Sequence, residues 1–319
     1  MANILISGAH GFIGKHLARW LARQGHQVVG LGHGIWPAGE AASWGLSHWL
    51  NGDIQSGNLR LLQQVNGTPD VVYHLAGGSS VGVAIANPRE DFFRTVATTA
   101  ELLEWLRVDA PQARLVAVSS AAVYGSGHDG PIAEDAALKP YSPYGHHKRI
   151  MEELCRSYAA SYGLRVSIAR LFSVFGTELN KQLLWDLCTR LAAGTRPIVL
   201  GGSGNELRDW TDVRDVVRAL DLLAEQAHAE VAVVNVGTGT GTSVRNIATG
   251  VARHWPLSDA ADSLQFSGQS RPGDPFSLVA NATGLNKLGF AWKIHVDDGL
   301  AAYVQWFQSQ IQSQRDRVP

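Results

Sequence analysis

The first 25 residues join a short apolar run, a glycine-rich turn and an amphipathic segment, and this combination restricts the fold more than any other feature of the chain. Residues 3–7 (NILIS) suit a buried parallel strand, and residues 15–25 (KHLARWLARQG) suit a helix. Between them, the spacing of Gly8, Gly11 and Gly14 allows a tight turn, a close backbone approach and close packing of helix on strand. The start of such a helix attracts phosphate groups. The sequence therefore predicts a dinucleotide-binding unit, and an ordinary turn of small residues is the alternative.

Short apolar runs and helical segments alternate through the first half of the chain. Strands are predicted at 27–31, 71–76, 116–120 and 164–171, and helices at 98–106 and from residue 143 onward. Parallel strands joined by helices form a doubly wound sheet, in which ligands bind beyond the carboxyl ends of the strands. We therefore predict an α/β fold: a Rossmann-type doubly wound parallel sheet with a smaller C-terminal substrate-binding lobe.

The second half of the chain is predicted to leave this sheet and later rejoin it. The expected elements are a helix over 179–194, a strand over 198–204 outside the main sheet, a helix from residue 212, a plain strand-to-helix turn over 235–242 and a final helix near 301–311. This order assigns residues 1–171, together with 212–236, to an NAD(P)-binding domain. It assigns residues 172–211 and 237–319 to the substrate-binding lobe.

The end of the second predicted strand bears on the choice of cofactor. An acid at this place commonly holds the adenosine ribose hydroxyls, but the chain continues Gly32-His33-Gly34. His33 could sit beside a 2′-phosphate, although no arginine or lysine is near it in sequence, and a solvated loop histidine is the alternative. A further strand, the third in chain order, is expected to end just before Asp53 and Ile54, where an aspartate can meet the adenine. NAD and NADP both remain open.

Residues 116–148 contain groups that can move a proton. An apolar strand ends at Ser120, and Ser142 can cap a helix on which Tyr144 and Lys148 lie one turn apart on the same face. A free phenol titrates near pH ~10, and a nearby ammonium is expected to lower the pKa of Tyr144 toward neutrality. Taken singly, Tyr144 reads as a packing residue and Lys148 as a solvated one. Together with Ser120 they can transfer a proton at a carbinol while a hydride leaves or arrives.

Composition argues against several other classes of protein. The chain has 319 residues, a formal net charge of -1 and 17% charged residues, so it has no basic field for nucleic acid or an anionic membrane. Cys155 and Cys188 lack metal-ligand spacing and are too few for a disulfide framework, and we expect no metal site. No apolar run is long enough to span a bilayer, and no signal peptide precedes the first strand. These features predict a cytoplasmic protein.

Four motifs together resemble one known family. They are GxxGxxG at 8–14, HLAG at 74–77, SSAAVYG at 119–125 and SPYGxxK at 142–148, and they resemble the extended short-chain dehydrogenases/reductases, in particular the NAD(P)-dependent nucleotide-sugar epimerase/dehydratase group. The resemblance implies that Tyr144 is the catalytic acid/base, that Lys148 holds the nicotinamide ribose and that Ser120 contacts the substrate oxygen. It implies cofactor contacts from Gly8, His10, Gly11, Phe12, Ile13, Gly14, His33, Asp53, Ile54, Leu75, Ala76, Gly77, Tyr144 and Lys148.

The resemblance also implies partners and their contacts. The expected partners are a nucleotide-diphosphate sugar, held in the C-terminal lobe, and a second copy of the chain in a homodimer. Arg208 and Arg271 lie in segments similar to those that supply arginines in this family, and two guanidinium groups can clamp a diphosphate. An arginine taken alone is more often part of a surface ion pair. The predicted substrate contacts are Ser79, Ser80, Ser120, Ser173 (usually an asparagine in the family), Lys181, Gln182, Arg208, Arg271 and Asp274.

Two alanines argue against one of the reactions that this family catalyses. Ala121 and Ala122 stand where dehydratases of this family carry an Asp-Glu pair, and methyl groups cannot transfer protons, so 4,6-dehydration is not expected. The favoured reaction is that of a 4-epimerase similar to UDP-glucose 4-epimerases, which passes through a transient 4-keto sugar and retains its cofactor, and this favours NAD. The alternative is an NAD(P)H-dependent reductase of 4-keto-6-deoxy nucleotide sugars. A non-catalytic cofactor-binding regulator is a more remote alternative.

Overall fold

A parallel β-sheet runs through the centre of the protein. The computed structural model describes residues 1–257, 260–269 and 275–315. Its strands are β1 (Asn3–Ser7), β2 (Gln27–Gly32), β3 (His48–Asn51), β4 (Val71–His74), β5 (Arg114–Ser120), β6 (Arg165–Leu171), β7 (Ser173–Phe175), β8 (Ile198–Leu200), β9 (Leu207–Asp212), β10 (Ala232–Val236), β11 (Gly241–Ser243), β12 (Leu264–Phe266) and β13 (Ser277–Leu278). Within the described ranges, seven of them form the central sheet in the order β3-β2-β1-β4-β5-β6-β10.

Helices cover the sheet and build the second lobe. They are α1 (Phe12–Arg23), α2 (Glu40–Ser43), α3 (Ser56–Asn66), α4 (Val81–Ala86), α5 (Pro88–Phe92), α6 (Thr98–Asp109), α7 (Pro143–Tyr162), α8 (Gln182–Ala192), α9 (Val213–Ala224), α10 (Val244–His254), α11 (Thr283–Lys287) and α12 (Val296–Arg315). A π-helical turn (Phe93–Ala97) joins α5 to α6, and a 3₁₀ turn (Ala121–Val123) follows β5. None of the helices in the described ranges combines the length and the apolar content needed to cross a membrane.

Side chains that alternate along each strand enter two separate cores. On β1, Ile4 and Ile6 point to the face that α1 and α9 cover, whereas Leu5 points to the face that α3, α6 and α7 cover. Full burial of one such aliphatic side chain contributes roughly 1.5–3 kcal/mol. Because both faces of the sheet are covered, its inner strands β1, β4 and β5 are apolar over most of their length. The predicted doubly wound α/β fold is confirmed.

The second lobe has its own sheets and core. Within the described residues, β9 pairs with β7, β11 and β13, while β8 pairs with β12. A third apolar cluster, built from α8, α10 and α12, packs behind these strands. The chain leaves the central sheet after β6 and rejoins it at β10, which pairs in parallel with β6. The lobe is thus inserted before the last strand of the central sheet and continued after it.

Two predicted elements differ from the structure. The helix expected over 179–194 covers only Gln182–Ala192, and left-handed φ angles of 72° at Glu178 and 66° at Gln182 interrupt the right-handed backbone before and at its first residue. The segment 235–242, expected to be a plain strand-to-helix turn, contains the start of β11, whose residues Gly241–Ser243 pair antiparallel with β9. In both places contacts with other parts of the chain decide the outcome, and a local pattern does not report them.

Candidate active site

A cleft of about 960 Å³ lies between the carboxyl ends of the central strands and the second lobe. Its walls come from the turns after β1, β2, β4 and β5, from the start of α7, and from β7, α8 and β9 of the lobe. The predicted residues that line it are Gly8, Gly11, Phe12, Ile13, Gly14, His33, Asp53, Ile54, Leu75, Ala76, Gly77, Ser79, Ser80, Ser120, Tyr144, Lys148, Ser173, Lys181, Gln182 and Arg208. Arg271 and Asp274 lie outside the described residues.

The turn between β1 and α1 is shaped to receive a phosphate-bearing ligand. Gly8 has φ +77°, and a Cβ there would lie only 2.8 Å from the Ala76 backbone nitrogen, so no other residue fits. A Cβ on Gly14 would collide with the Gly8 carbonyl oxygen. Gly11 precedes α1 in extended conformation, and no side chain caps the helix start within the described structure. The first N–H groups of α1 can therefore bind a pyrophosphate, and these residues fit a dinucleotide.

Three more predicted cofactor residues, one inside that turn and two at the ends of other strands, make contacts within the protein. The His10 ring packs against Trp36 and Trp49, with ring centroids 4.6 Å and 6.0 Å away, and this packing accounts for its side chain without a ligand. His33 and Asp53 meet each other at the rim of the cleft, with 2.9 Å between Nε2 and Oδ1. Both side chains are mostly exposed, at 73% and 66%. A carboxylate and an imidazole thus stand together where the second and third strands end.

Ser120, Tyr144 and Lys148 come together at the base of the cleft. Ser142 caps α7 by accepting a hydrogen bond from the Gly145 N–H at 3.2 Å, as predicted, and the helix presents Tyr144 and Lys148 to the end of β5. Tyr144 and Ser120 both line the cleft, and the Ser120 hydroxyl is near enough to act on the pKa of Tyr144. The buried Lys148 ammonium donates to the Val118 carbonyl oxygen at 2.9 Å. This arrangement can move a proton to or from an oxygen placed beside Ser120 and Tyr144.

The ionisation of Tyr144 differs from the prediction. Burial raises the pKa of Tyr144, the Ser120 hydroxyl lowers it, and the Asp91 carboxylate raises it again, with a net upward shift. The predicted lowering by Lys148 is wrong for this structure, because the ammonium is turned toward the Val118 carbonyl. Burial also lowers the pKa of Lys148 to about 8, although Asp91 and Glu152 act in the opposite direction. Both groups therefore hold their protons at neutral pH.

A buried ion pair beneath the site was not predicted. Glu152 lies one turn beyond Lys148 and is 0% exposed, and it accepts hydrogen bonds from Arg170 at 2.9 and 2.7 Å and from Ser119 at 2.6 Å. Arg170 also donates to the Tyr124 hydroxyl at 2.8 Å. The network fixes the end of β5 against α7 and β6. An arginine within the apolar strand 164–171 was the available signal, because a buried guanidinium requires a partner.

The lobe contributes polar groups to the other side of the cleft. Lys181 donates to the Ser79 hydroxyl at 2.8 Å and so joins the start of α8 to the loop after β4. Arg208 on β9 donates to the carbonyl oxygens of Leu207 and Phe276. Asp209 is buried and accepts from the N–H groups of Thr238 and Gly239, each at 2.8 Å. Its carboxylate therefore anchors the loop after β10.

Ala121 and Ala122 occupy the cleft wall directly beside Ser120. They form the 3₁₀ turn after β5, are 3% and 8% exposed, and line the cleft. The Ser120 hydroxyl accepts a hydrogen bond from the Ala122 N–H at 3.2 Å. The wall next to the Ser120 hydroxyl thus presents methyl groups.

Comparison with known proteins gives a consistent result. The profile described as the NAD dependent epimerase/dehydratase family matches residues 4–237. The UDP-glucose 4-epimerase of Azospirillum brasilense is 29% identical, over 98% of this chain and 93% of its own. The solved structure of MoeE5 in complex with UDP-glucuronic acid and NAD is 31% identical, covers 97% of this chain and 99% of its own, and gives a TM-score of 0.82. DesIV of Streptomyces venezuelae, a dTDP-glucose 4,6-dehydratase solved with NAD, is 26% identical, with 98% of each chain covered and a TM-score of 0.86.

Proposed function

The chain belongs to the NAD-dependent epimerase/dehydratase family, and from this premise we propose that it is an NAD-dependent 4-epimerase of UDP-sugars. The observation that carries the proposal is that Ser120, Tyr144 and buried Lys148 line one cleft whose adjoining wall is Ala121 and Ala122. The relative from Azospirillum brasilense supports the reaction by its name, and MoeE5 supports the pairing of a UDP-sugar with NAD.

The proposed chemistry assigns one task to each group. NAD bound along the Gly8–Gly14 turn supplies a hydride acceptor that later returns the hydride. Tyr144, once it has released its own proton to solvent, takes the proton of the sugar 4-hydroxyl and later gives it back to the reformed hydroxyl, while Ser120 donates a hydrogen bond to the same oxygen. Lys148 holds its positive charge beside Gly77, where a Cβ would lie 3.3 Å from its Nζ. Between the two half-reactions the sugar is a transient 4-keto species, and it rotates in the cleft so that its opposite face receives the hydride.

The wall beside Ser120 favours epimerisation over 4,6-dehydration. Elimination of water requires a general acid and a general base at the neighbouring carbons. Ala121 and Ala122 fill that part of the wall and carry no titratable group. The overall similarity to DesIV therefore extends to the fold and the family, and the dehydratase reaction is not proposed for this chain.

The substrate is proposed to span both parts of the protein. Residues 1–171 with 212–236 hold the NAD, and residues 172–211 with 237–319 hold the nucleotide sugar. Arg208 and Arg271 are assigned to the diphosphate because a guanidinium matches phosphate oxygens, and Asp274 is assigned to the substrate without a specified group. The sugar side is assigned to Ser79, Ser80, Ser173, Lys181 and Gln182, and the described members of this set line the cleft.

NAD is proposed as the dinucleotide in preference to NADP. Asp53 places a carboxylate at the rim beside His33, and a 2′-phosphate entering that rim would meet its negative charge. MoeE5 and DesIV were both solved with NAD. Mass spectrometry of the dinucleotide released from the purified protein tests this assignment: NAD is expected, and NADP as the main species would contradict it.

A homodimer is the proposed assembly. Helix α4 exposes Val83 at 62% and Ile85 at 59%, and α7, on which α4 packs, exposes Ile150 at 40%. Single exposed apolar side chains are common, and Val83 and Ile85, two positions apart, lie on different sides of α4; the proposal rests on exposed apolar side chains on both of two packed helices. A second copy of the chain is the proposed occupant of this face.

The decisive experiment uses the purified protein with no added cofactor. UDP-glucose, UDP-glucuronic acid and UDP-N-acetylglucosamine are incubated separately, and the sugar signals are followed by NMR. Appearance of a C4 epimer from at least one of them is expected. No conversion of any of them, together with NADPH-dependent reduction of a 4-keto-6-deoxy nucleotide sugar, would replace the epimerase by the reductase.

A further inference from the structure

Asp91 and His147 form a buried pair directly behind the catalytic residues. His147 lies on α7 between Tyr144 and Lys148, and its Nδ1 is 2.6 Å from Asp91 Oδ2 on α5. The Asp91 side chain is 5% exposed and that of His147 is 12% exposed. Because an ionised carboxylate only accepts hydrogen bonds, Nδ1 carries the hydrogen. The Phe92 ring packs edge-on against the imidazole, with 5.6 Å between the ring centroids, and helps to fix its orientation.

The pair reaches the cleft through two consecutive glycines. Oδ1 of Asp91 occupies the place that a Cβ on Gly78 would take, and Nζ of Lys148 is 3.3 Å from the place of a Cβ on Gly77. The Gly78 N–H donates to the Thr95 hydroxyl at 2.8 Å. The carboxylate and the ammonium therefore flank the same short stretch of backbone, one residue apart. Any side chain at either position would displace one of the two charged groups.

Lys148 needs a counter-charge in this position. Its Nζ has the Val118 carbonyl as a hydrogen-bond acceptor, and burial of an ammonium in a low-dielectric site is costly. The charges and titratable groups that act on it come from α5 (Asp91), from α7 (Glu152 and Cys155) and from β4 (His74). Glu152 is committed to Arg170, burial raises the pKa of the Cys155 thiol to about 12, and burial lowers the pKa of His74 to about 3. Asp91 is thus the carboxylate best placed to act on Lys148.

We propose that Asp91, held in place by His147, is the counter-charge of the Lys148 ammonium and that the two form a positioning pair for the catalytic site. The proposal rests on the catalytic roles given above to Tyr144 and Lys148. Asp91 has a second effect, because its charge also raises the pKa of Tyr144. The pair therefore keeps both protons in place while the cleft is without substrate. Charges near Asp91 on its own side are Glu90 and Arg94, which form an exposed ion pair with each other.

The proposal is tested by removing the Asp91 charge and measuring the pH midpoint of Lys148. The protein is labelled with ¹³C-lysine, the Lys148 Cε signal is assigned with Lys148→Met, and its pH midpoint is read by NMR. In Asp91→Asn the midpoint is expected to fall by about one pH unit, since a nearby opposite charge shifts a pKa by roughly 1–3 units. His147→Asn retains a donor close to the place of Nδ1 and should keep the midpoint, whereas His147→Leu should lower it. Glu153→Gln, on the exposed side of the same helix, is the matched control.

The epimerisation rate of the same variants is a second, independent test of the pair. If epimerisation is observed for the wild type, the rate of Asp91→Asn is expected to fall mainly above neutral pH, by roughly 10-fold where both midpoints are passed, and the alkaline limb of the pH–rate profile should move to lower pH. An unchanged Lys148 midpoint in Asp91→Asn, with only a lower melting temperature, would make the pair a structural tie between α5 and α7. A shifted midpoint in a protein that epimerises no UDP-sugar would uphold the pair and overturn the proposed function.

Discussion

At the scale of single residues, the Tyr144 hydroxyl is the group on which the proposed proton transfer depends. Replacement of Tyr144 by Phe removes one oxygen and leaves the ring that packs against the end of β5. The epimerisation rate is expected to fall by about 10²–10⁴-fold, the usual contribution of a general acid/base. NAD content and thermal stability should stay near those of the wild type. Retention of most of the rate on a confirmed substrate would show that another group transfers the proton.

Arg208 provides the residue-scale test of diphosphate binding. Its guanidinium lines the cleft from β9, and Arg208→Lys keeps the charge but loses the planar, two-pronged donor. A hydrogen bond to a charged group contributes about 1.5–3 kcal/mol, so the affinity for UDP measured by calorimetry is expected to fall about 10-fold or more. Arg190→Lys, in an exposed ion pair with Asp186 on α8, is the control. If the two variants bind UDP with equal affinity, Arg208 does not bind the diphosphate and its role is structural.

The same residues show how far sequence reasoning reaches. The Gly8–Gly14 turn and the spacing of Tyr144 and Lys148 were predictable because each depends on a local pattern within one turn or one helix. The upward pKa shift of Tyr144 was not, because it depends on burial and on Asp91, which lies 53 positions earlier in the chain. Arg170 and Glu152 likewise belong to different elements. Sequence periodicity places a side chain on a face, but it does not name the side chain opposite.

At the scale of elements, β4 carries a buried histidine and α1 a half-buried one, and both should make folding sensitive to acid. Burial lowers the pKa of His74 to about 3, with a smaller contribution from Lys148, and His74 is held between the hydroxyls of Ser7 and Thr99. Burial also lowers the pKa of His16 to about 4, against the opposing effect of the Thr177 carbonyl. An unfolded histidine binds a proton near pH ~6.5. Between that pH and about 4, the unfolded chain gains protons that the folded chain does not.

The free energy of unfolding is therefore expected to be highest above pH ~6.5. Below that pH it should fall by about 1.4 kcal/mol per pH unit for each of the two histidines. Urea titrations at several pH values between 7 and 4.5 measure this slope. His74→Gln should reduce the slope by about one histidine's share while remaining folded at neutral pH. A slope that is the same in His74→Gln and in the wild type would mean that other groups control acid unfolding.

At the scale of the whole molecule, the proposed homodimer makes a prediction about mass. Light scattering after size-exclusion chromatography is expected to give about twice the 34.4 kDa of one chain. A double variant, Ile85→Asp with Ile150→Asp, places two like charges on the α4–α7 face and should give a monomer. Val199→Asp, at an exposed position on β8 of the lobe, should leave the mass unchanged. A monomeric mass for the wild-type protein at micromolar concentration would contradict the proposed homodimer.

The return of β10 to the central sheet has a consequence for the order in which the protein is made. The strand β6 ends at Leu171, but its outer neighbour begins only at Ala232. Ribosomes add about 5–20 residues per second, so the edge of β6 waits several seconds for its partner while the intervening lobe is synthesised. During that time its backbone N–H and C=O groups form an open edge that can pair with another nascent chain. Interrupted synthesis anywhere between these strands should therefore produce aggregates rather than a smaller folded protein.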